Sequence, residues 1–491
     1  MEATMEEALL ATAATEKRGD GGEAASEVKK QLSLAGPLVA GFLLQNLLKT
    51  ISVMFVGHLG ELALSSASVA TSIANVTGFS LLLGMACALD TLCGQAFGAG
   101  QYEQLGVYKQ RAMLVVALVS VPVAALWAYT GEILAWCGQD PAIAAGAGSY
   151  IRWMIPALLA YGLLQCHARF LQTQNLVVPV MLSSAATAAA HPAVCWLLVR
   201  RLGLGTDGAA MANTVSYLVN LALLAVYVRL SPSCRATWTG FSGEAFRGIP
   251  SFLKLAMPSA VMMCMKWWAF ELLVLLSGLL PDPKLETAVL SISLNTNDLV
   301  MMVPLGLSSA VSTRVSNELG AGRPEAARLA TRVAVLLALA VSVSEGIVMV
   351  MGRNLWGYAY SYEEEVARYT AKMMPILAAS GLFDSQQIVI SGVIRGCGRQ
   401  KAGAYINLAA YYLAGIPAAI ILAFICHLGG MVIKKNPGLK SEQGLWIGIS
   451  CGLVVQMLLL LSITLCTNWS NEASKAKERV SNSAVSKDIT T

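Results

Sequence analysis

Three stretches of this chain, Phe170 to Val199, Ala402 to Ile433 and Gln443 to Asn471, contain no Asp, Glu, Lys or Arg. Each runs for about 30 residues, enough to cross the hydrocarbon core of a bilayer. One such run is compatible with a buried helix of a soluble protein, but many of them, separated by short polar loops, are not. In lipid the backbone must satisfy its own hydrogen bonds, and segments of this length do so as α-helices. Only 13% of the residues are charged, against roughly 25% in soluble proteins. The expected class is therefore an all-α membrane protein whose first partner is the lipid bilayer. The formal charge of +5 is small and dispersed, and points to no nucleic acid. The 11 cysteines lie mostly inside apolar segments (Cys87, Cys166, Cys264, Cys426) without paired metal spacing, so neither a disulfide framework nor a zinc site is implied.

Hydropathy and loop punctuation place twelve spans. The first six fall at 32–57, 66–92, 112–136, 148–173, 176–199 and 208–230, and the second six at 251–280, 286–311, 331–355, 369–394, 402–426 and 444–467. Residues 1–31 are rich in Ala, Glu and Gly, and Glu2, Glu6 and Glu7 stand where a cleaved signal would be basic. A disordered cytosolic arm is expected there. The remaining divisions are an N-terminal lobe at 32–230, a basic linker at 231–250, a C-terminal lobe at 251–467 and a tail at 468–491. Lys and Arg favour the N-terminal side of the spans by more than two to one, which puts both termini in the cytosol. The sequon Asn468-Trp469-Ser470 should then carry no glycan. Plasma and vacuolar membranes share this orientation relative to the cytosol.

Self-similarity recurs at a spacing of about 220 residues. Leu34-Ala35-Gly36-Pro37 matches Leu255-Ala256-Met257-Pro258, Gly98-Ala99-Gly100 matches Gly320-Ala321-Gly322, and Pro156 with Gly162-Leu163 matches Pro375 with Gly381-Leu382. Three matches in register indicate a duplicated bundle. Six helices per copy is an even number, so the halves share orientation and form two pseudo-symmetric lobes with a substrate path between them. The expected function is secondary transport, by a chain that works as a monomer. A twelve-span carrier of another superfamily would show a Gly/Asp/Arg-rich loop after span 2, which 94–111 lacks. An intramembrane enzyme would need a motif of the His-Glu-x-x-His or Gly-x-Ser-x-Gly kind, and there are only 4 histidines.

Ionisable groups inside spans are costly, about 2.5 to 3.5 kcal/mol each on insertion scales, and mark functional sites. Here the acids are uneven: Glu271, Asp298, Glu345 and Asp384 lie in spans 7 to 10, whereas the first half offers Lys49 and, near a helix end, Asp90. A cation-coupling site is expected in the second half, because burial raises a carboxyl pKa toward neutrality and lets it load and release protons. These acids suit a proton as the coupling ion, and no other cofactor is implied. Trp267, Trp268, Tyr411 and Tyr412 offer π faces for substrate, with helix packing as the alternative. His191 is expected to join helices by hydrogen bonds rather than to relay protons. Pro37, Pro156, Pro258, Pro375 and Pro417 permit kinks. The two Gly-Ala-Gly segments read as tight turns, since neither ends in the Gly-Lys-Ser/Thr of a phosphate loop.

Several strings are longer than chance allows. Met54-Phe55-Val56-Gly57-His58-Leu59-Gly60, the run from Leu89 to Gly100, Arg169-Phe170-Leu171-Gln172-Thr173-Gln174, the run from Ser312 to Gly322, and the run from Val393 to Gln400 resemble motifs of multidrug and toxic compound extrusion transporters, most closely the plant branch. The resemblance implies a V-shaped pair of six-helix lobes that export xenobiotics or secondary metabolites by alternating access, in exchange for protons or sodium ions. It also exposes a departure. The segment Cys264-Met265-Lys266-Trp267-Trp268-Ala269-Phe270-Glu271 resembles one that in the family carries two glutamates five positions apart. Here Lys266 takes the first place and Glu271 the second, while Asp384 matches the family's acid of span 10. Lys266 therefore changes the site by two charge units and is a candidate modifier of coupling. It lies about 14 residues from the outer end of its span, and Asp298 and Asp384 about 12 and 15 from theirs. At 1.5 Å per residue the three share one depth, so an ion pair is expected.

Overall fold

The structure, a computed structural model, describes residues 2–277, 283–360, 363–425 and 441–488. Among the described residues, eleven helices are long and apolar enough to cross a membrane, and a bent pair makes a twelfth. Numbered by span, they are α1 (Glu2–Gly57), α2 (Glu61–Gly98), α3 (Tyr102–Ala128), α4 (Pro141–Trp153 and Ile155–Thr173), α5 (Val178–Arg201), α6 (Gly205–Leu230), α7 (Ile249–Ser277), α8 (Val289–Gly320), α9 (Pro324–Ala359), α10 (Glu364–Cys397), α11 (Gln400–Phe424) and α12 (Gln443–Leu465). A further polar helix, α13 (Trp469–Asp488), follows. Cys426 lies outside the described residues.

Helix breaks have local causes. The two parts of α4 meet at 47°, with Pro156 at the start of the second part, where a residue without a backbone donor does no harm. Pro37, Pro258 and Pro375 lie inside unbroken helices. Pro417 follows a widened, π-type turn at Leu408–Gly415, and a second such turn, Asn75–Phe79, interrupts α2. Widened turns release carbonyls from the regular ladder. One of them, Val76 O, accepts a 3.0 Å hydrogen bond from Trp268 Nε1 of the other lobe.

The lobes meet on the side that carries both termini. There α2 packs on α8 so closely that a Cβ on Gly98 would collide with the Asn317 carbonyl, and one on Gly320 with the carbonyl of Gln95. The last glycine of each repeated Gly-Ala-Gly, Gly100 and Gly322, has φ of 74° and 71° and makes the turn that ends its helix. Each motif thus joins a close approach to a tight turn. At the opposite end, the outer part of α2 (61–74) and the segment 283–300 that leads into α8 pack chiefly within their own lobes, so a cleft opens between them.

The N-terminal segment departs from the expectation of a disordered arm, and the C-terminal tail is also tied to the lobes. Residues 22–31 are helical, and Glu27 and Gln31 are buried. Arg314 of α8 donates to both Glu27 carboxylate oxygens, at 2.9 and 2.8 Å, and Gln31 donates to Ala330 O at 2.6 Å. These partners lie almost 300 positions away in sequence, which is why composition alone reads the segment as disordered. In α13, Arg479 donates to Gln95 Oε1 of the first lobe at 3.2 Å and to Cys397 O of the second at 3.1 Å.

Candidate functional site

Between the lobes lies a cavity of about 260 Å³. Its first wall comes from α1, α4 and α6, where Gln45, Asn46, Lys49, Tyr161, Gln165 and Tyr217 point inward. The second comes from α7 and α8 and carries Lys266, Trp267, Phe270, Glu271, Asn297, Asp298 and Met301. On α7, Lys266, Phe270 and Val274 recur every fourth residue, with Trp267 and Glu271 beside them, so one helix face presents both charge and aromatic surface.

The cavity floor ties the lobes together. Asp90, fully buried, has one carboxylate oxygen 3.5 Å from both Arg169 of α4 and Arg395 of α10. At 3.5 Å these are charge contacts rather than hydrogen bonds: Arg395 donates through Nη2 to Ser308 Oγ at 2.9 Å while its Nε, facing Asp90, has no hydrogen-bond partner among the described residues, and Arg169 donates to Ser309 Oγ and Gln172 Oε1 at 3.3 Å. Thr91 donates to Arg395 O, and Gln95 to Gly396 O at 3.2 Å. Two cations on one buried acid, braced across the interface, seal this end. The sequence reading missed this cluster as a site. Its available signal was two arginines at the inner ends of the equivalent spans 4 and 10.

Lys266 Nζ stands 2.7 Å from Asp384 Oδ1, so the expected pairing is formed, and Asp384 rather than Asp298 is the partner. Asp384 is only 2% exposed while Lys266 is 21% exposed, which puts the carboxylate behind the ammonium as seen from the cavity. Gln387 also donates to Asp384 Oδ1, and Asp384 Oδ2 has no hydrogen-bond partner among the described residues. Asp298 faces Lys266 on its own wall and Lys49 on the other. Glu271 sits against Ser72 of α2.

Other candidates fall away from the cavity. Glu345, on α9, is not part of its lining. Tyr411 is fully buried in the apolar cluster of α7, α11 and α12, and Tyr412 reaches Met265 O at a long 3.5 Å. Trp268 turns to Val76, leaving Trp267 as the expected aromatic that lines the cavity. The widened turn at Leu408–Gly415 explains the two tyrosines, because it shifts helix phase in a way that regular periodicity does not capture. His191 bridges Ser52 of α1 at 2.9 Å and Ser216 of α6 at 2.8 Å, the helix-joining role expected of it. Asn468 of the sequon accepts from Asn471 N at 3.1 Å, at the start of α13.

Comparison with known proteins agrees with this architecture. The family model described as MatE matches residues 37–197 and 258–421, one segment in each lobe. Protein DETOXIFICATION 16 of Arabidopsis thaliana is 56% identical over 471 residues, covering 96% of this chain and 94% of the relative. Protein DETOXIFICATION 15 of the same plant is 52% identical over 464 residues, covering 94% and 93%. Among solved structures, the eukaryotic MATE transporter AtDTX14 superposes with a TM-score of 0.87 at 46% identity, covering 93% of this chain and 100% of that one. A MATE transporter from Vibrio cholerae, 15% identical, shares the fold with a TM-score of 0.79, covering 91% of this chain and 99% of its own.

Proposed function

This chain belongs to the MATE family of efflux transporters, and we propose that it is a proton antiporter whose cavity favours neutral or anionic organic solutes over cations. The observation that carries this reading is the Lys266–Asp384 pair in the cavity wall. With every acid ionised, the cations Lys49, Lys266, Arg169 and Arg395 balance Glu271, Asp298, Asp384 and Asp90. A glutamate in place of Lys266 would leave the cavity two units negative and attractive to organic cations. Lys266 removes that attraction. It also engages Asp384 in an ion pair, so Glu271 and Asp298 carry the larger share of coupling. Trp267 offers its ring to the apolar body of the substrate.

Alternating access needs a path sealed at one end at a time. The Asp90 cluster supplies the seal. With both termini cytosolic, as the distribution of Lys and Arg supports, the sealed end faces the cytosol and the cleft opens toward the exterior or the vacuole. The protein works as a monomer, because one chain builds both walls. The test is uptake into proteoliposomes under an imposed pH or sodium gradient, comparing cationic alkaloids, neutral flavonoid glycosides and organic acids. Gradient-dependent movement of neutral or acidic solutes, with cations slower, is expected. Fast cation exchange driven by the proton gradient would overturn the substrate assignment, and a response to sodium alone would overturn the choice of ion.

A further inference from the structure

We propose that Lys49 anchors the carboxylate of an aromatic organic anion, which makes an aromatic monocarboxylate the preferred cargo of the cleft. The proposal rests on the transporter reading above and narrows its substrate class. Three of the four cavity cations are already engaged: Lys266 holds Asp384 at 2.7 Å, and Arg169 and Arg395 share Asp90 at 3.5 Å each. Among the described residues, Lys49 is the cavity cation that no carboxylate holds. Lys49 and Asp298 line opposite walls of the cavity, and no ion pair closes between them.

The two walls are chemically unlike. Lys49 shares its wall with Asn46 and Gln165, which donate hydrogen bonds, and no acid lines that wall. Opposite stand the rings of Trp267 and Phe270 and the thioether of Met301. A planar aromatic body laid on that second surface turns a carboxylate substituent toward Lys49. The ammonium then gains a full counter-charge inside the cleft, while Asp298 keeps its place beside Lys266. A charge-assisted contact of this kind shifts affinity by about tenfold relative to an uncharged acceptor of the same shape. Export of a monoanion also runs down an inside-negative membrane potential. That driving force does not need every acid of the site to cycle protons, which suits a site where Lys266 already ties down Asp384.

The test uses the purified full-length protein in lipid nanodiscs, with naphthoate and its uncharged amide as probes and Trp fluorescence as the readout. The parent should bind naphthoate about tenfold more tightly than the amide. Lys49→Gln should bring the two within about twofold while amide binding stays the same, and Lys49→Arg should keep the preference. Asp298→Asn, which removes the competing acid, should tighten naphthoate further. A parent without preference, or a Lys49→Gln protein that keeps it, overturns the proposal. Protein that binds neither probe yet still moves solutes under a pH gradient also overturns it, while leaving the transporter reading intact. Protein that moves no solute in that gradient assay fails the underlying reading instead.

Discussion

The two lobes share a duplicated scaffold and differ in where they keep their charge. The first presents to the cavity a lysine, amides and phenols, whereas the second presents Glu271 and Asp298, with Lys266 in front of Asp384. The repeated Gly-Ala-Gly turns, needed by both copies to pack and to end a helix, occur in both. The intramembrane acids facing the cleft occur in one. Duplication therefore conserves what the fold requires and leaves the chemistry free to diverge between copies. The lobes share one charged cluster, the floor, and there each contributes part of a group that neither completes alone.

The floor is where the comparison breaks most visibly. Asp90→Asn leaves two buried guanidinium groups without their common counter-charge, and breaking a buried pair in this way costs about 3 to 5 kcal/mol. Thermal unfolding in detergent should show that loss, and transport should fall to background because the sealed state is no longer favoured. A mutant with parental stability and flux would mean that the neutral hydrogen bonds donated across the interface by Thr91, Gln95 and Gln172 hold the lobes by themselves. Next in size is Asp384→Asn. It leaves the Lys266 ammonium without its partner in the cavity wall, so gradient-driven transport should fall several-fold while membrane insertion and folding persist. Unchanged coupled flux would remove Asp384 from the mechanism.

How much of this was legible in the sequence follows from the range of each interaction. Span number and duplication rest on local strings and hydropathy, and both emerged. The common depth of Lys266, Asp298 and Asp384 follows from counting residues along helices, so a pair was foreseeable, although depth could not choose between the two acids. Helix phase decides that choice, and Gln387, one turn along from Asp384, adds a donor to the winning site. Phase also bears on Tyr411, which lies within the widened turn before Pro417 and packs in the apolar cluster, the alternative that the sequence left open. The Glu27 to Arg314 contact joins residues almost 300 positions apart, and nothing in their local sequence marks them as partners. In the Asp90 cluster the equivalent arginines of spans 4 and 10 are visible in the sequence, but the acid they share is not.

A smaller effect sharpens the contrast between walls. Lys266→Glu should make the second wall wholly acidic, and proton-driven flux of a cationic substrate should rise several-fold over the parent. The sign follows from charge. The substitution removes a fixed cation and adds an exchangeable acid, so the loaded and empty sites then differ more in their attraction for a cation. Equal or lower flux at matched protein level, across several cations, would show that Lys266 does not set the charge preference.

The smallest expected effect separates two acids of the same lobe. Glu271 and Glu345 both lie within helices of the second lobe, and a count of charges along the sequence treats them alike. Glu271 lines the cavity, whereas Glu345 stands on α9 outside its lining. A carboxyl that exchanges protons with the transport path must meet that path in at least one state, and position on the cavity wall is the requirement that Glu345 does not meet. Glu345→Gln should therefore leave proton-driven flux within about twofold of the parent, a change of at most about 0.5 kcal/mol in the coupled step. Glu271→Gln, measured in the same liposomes at the same pH gradient, should lose most of it. Parallel losses in both mutants would mean that protons reach α9 by a route other than the inter-lobe cavity, and the division of labour between the two walls would have to be redrawn.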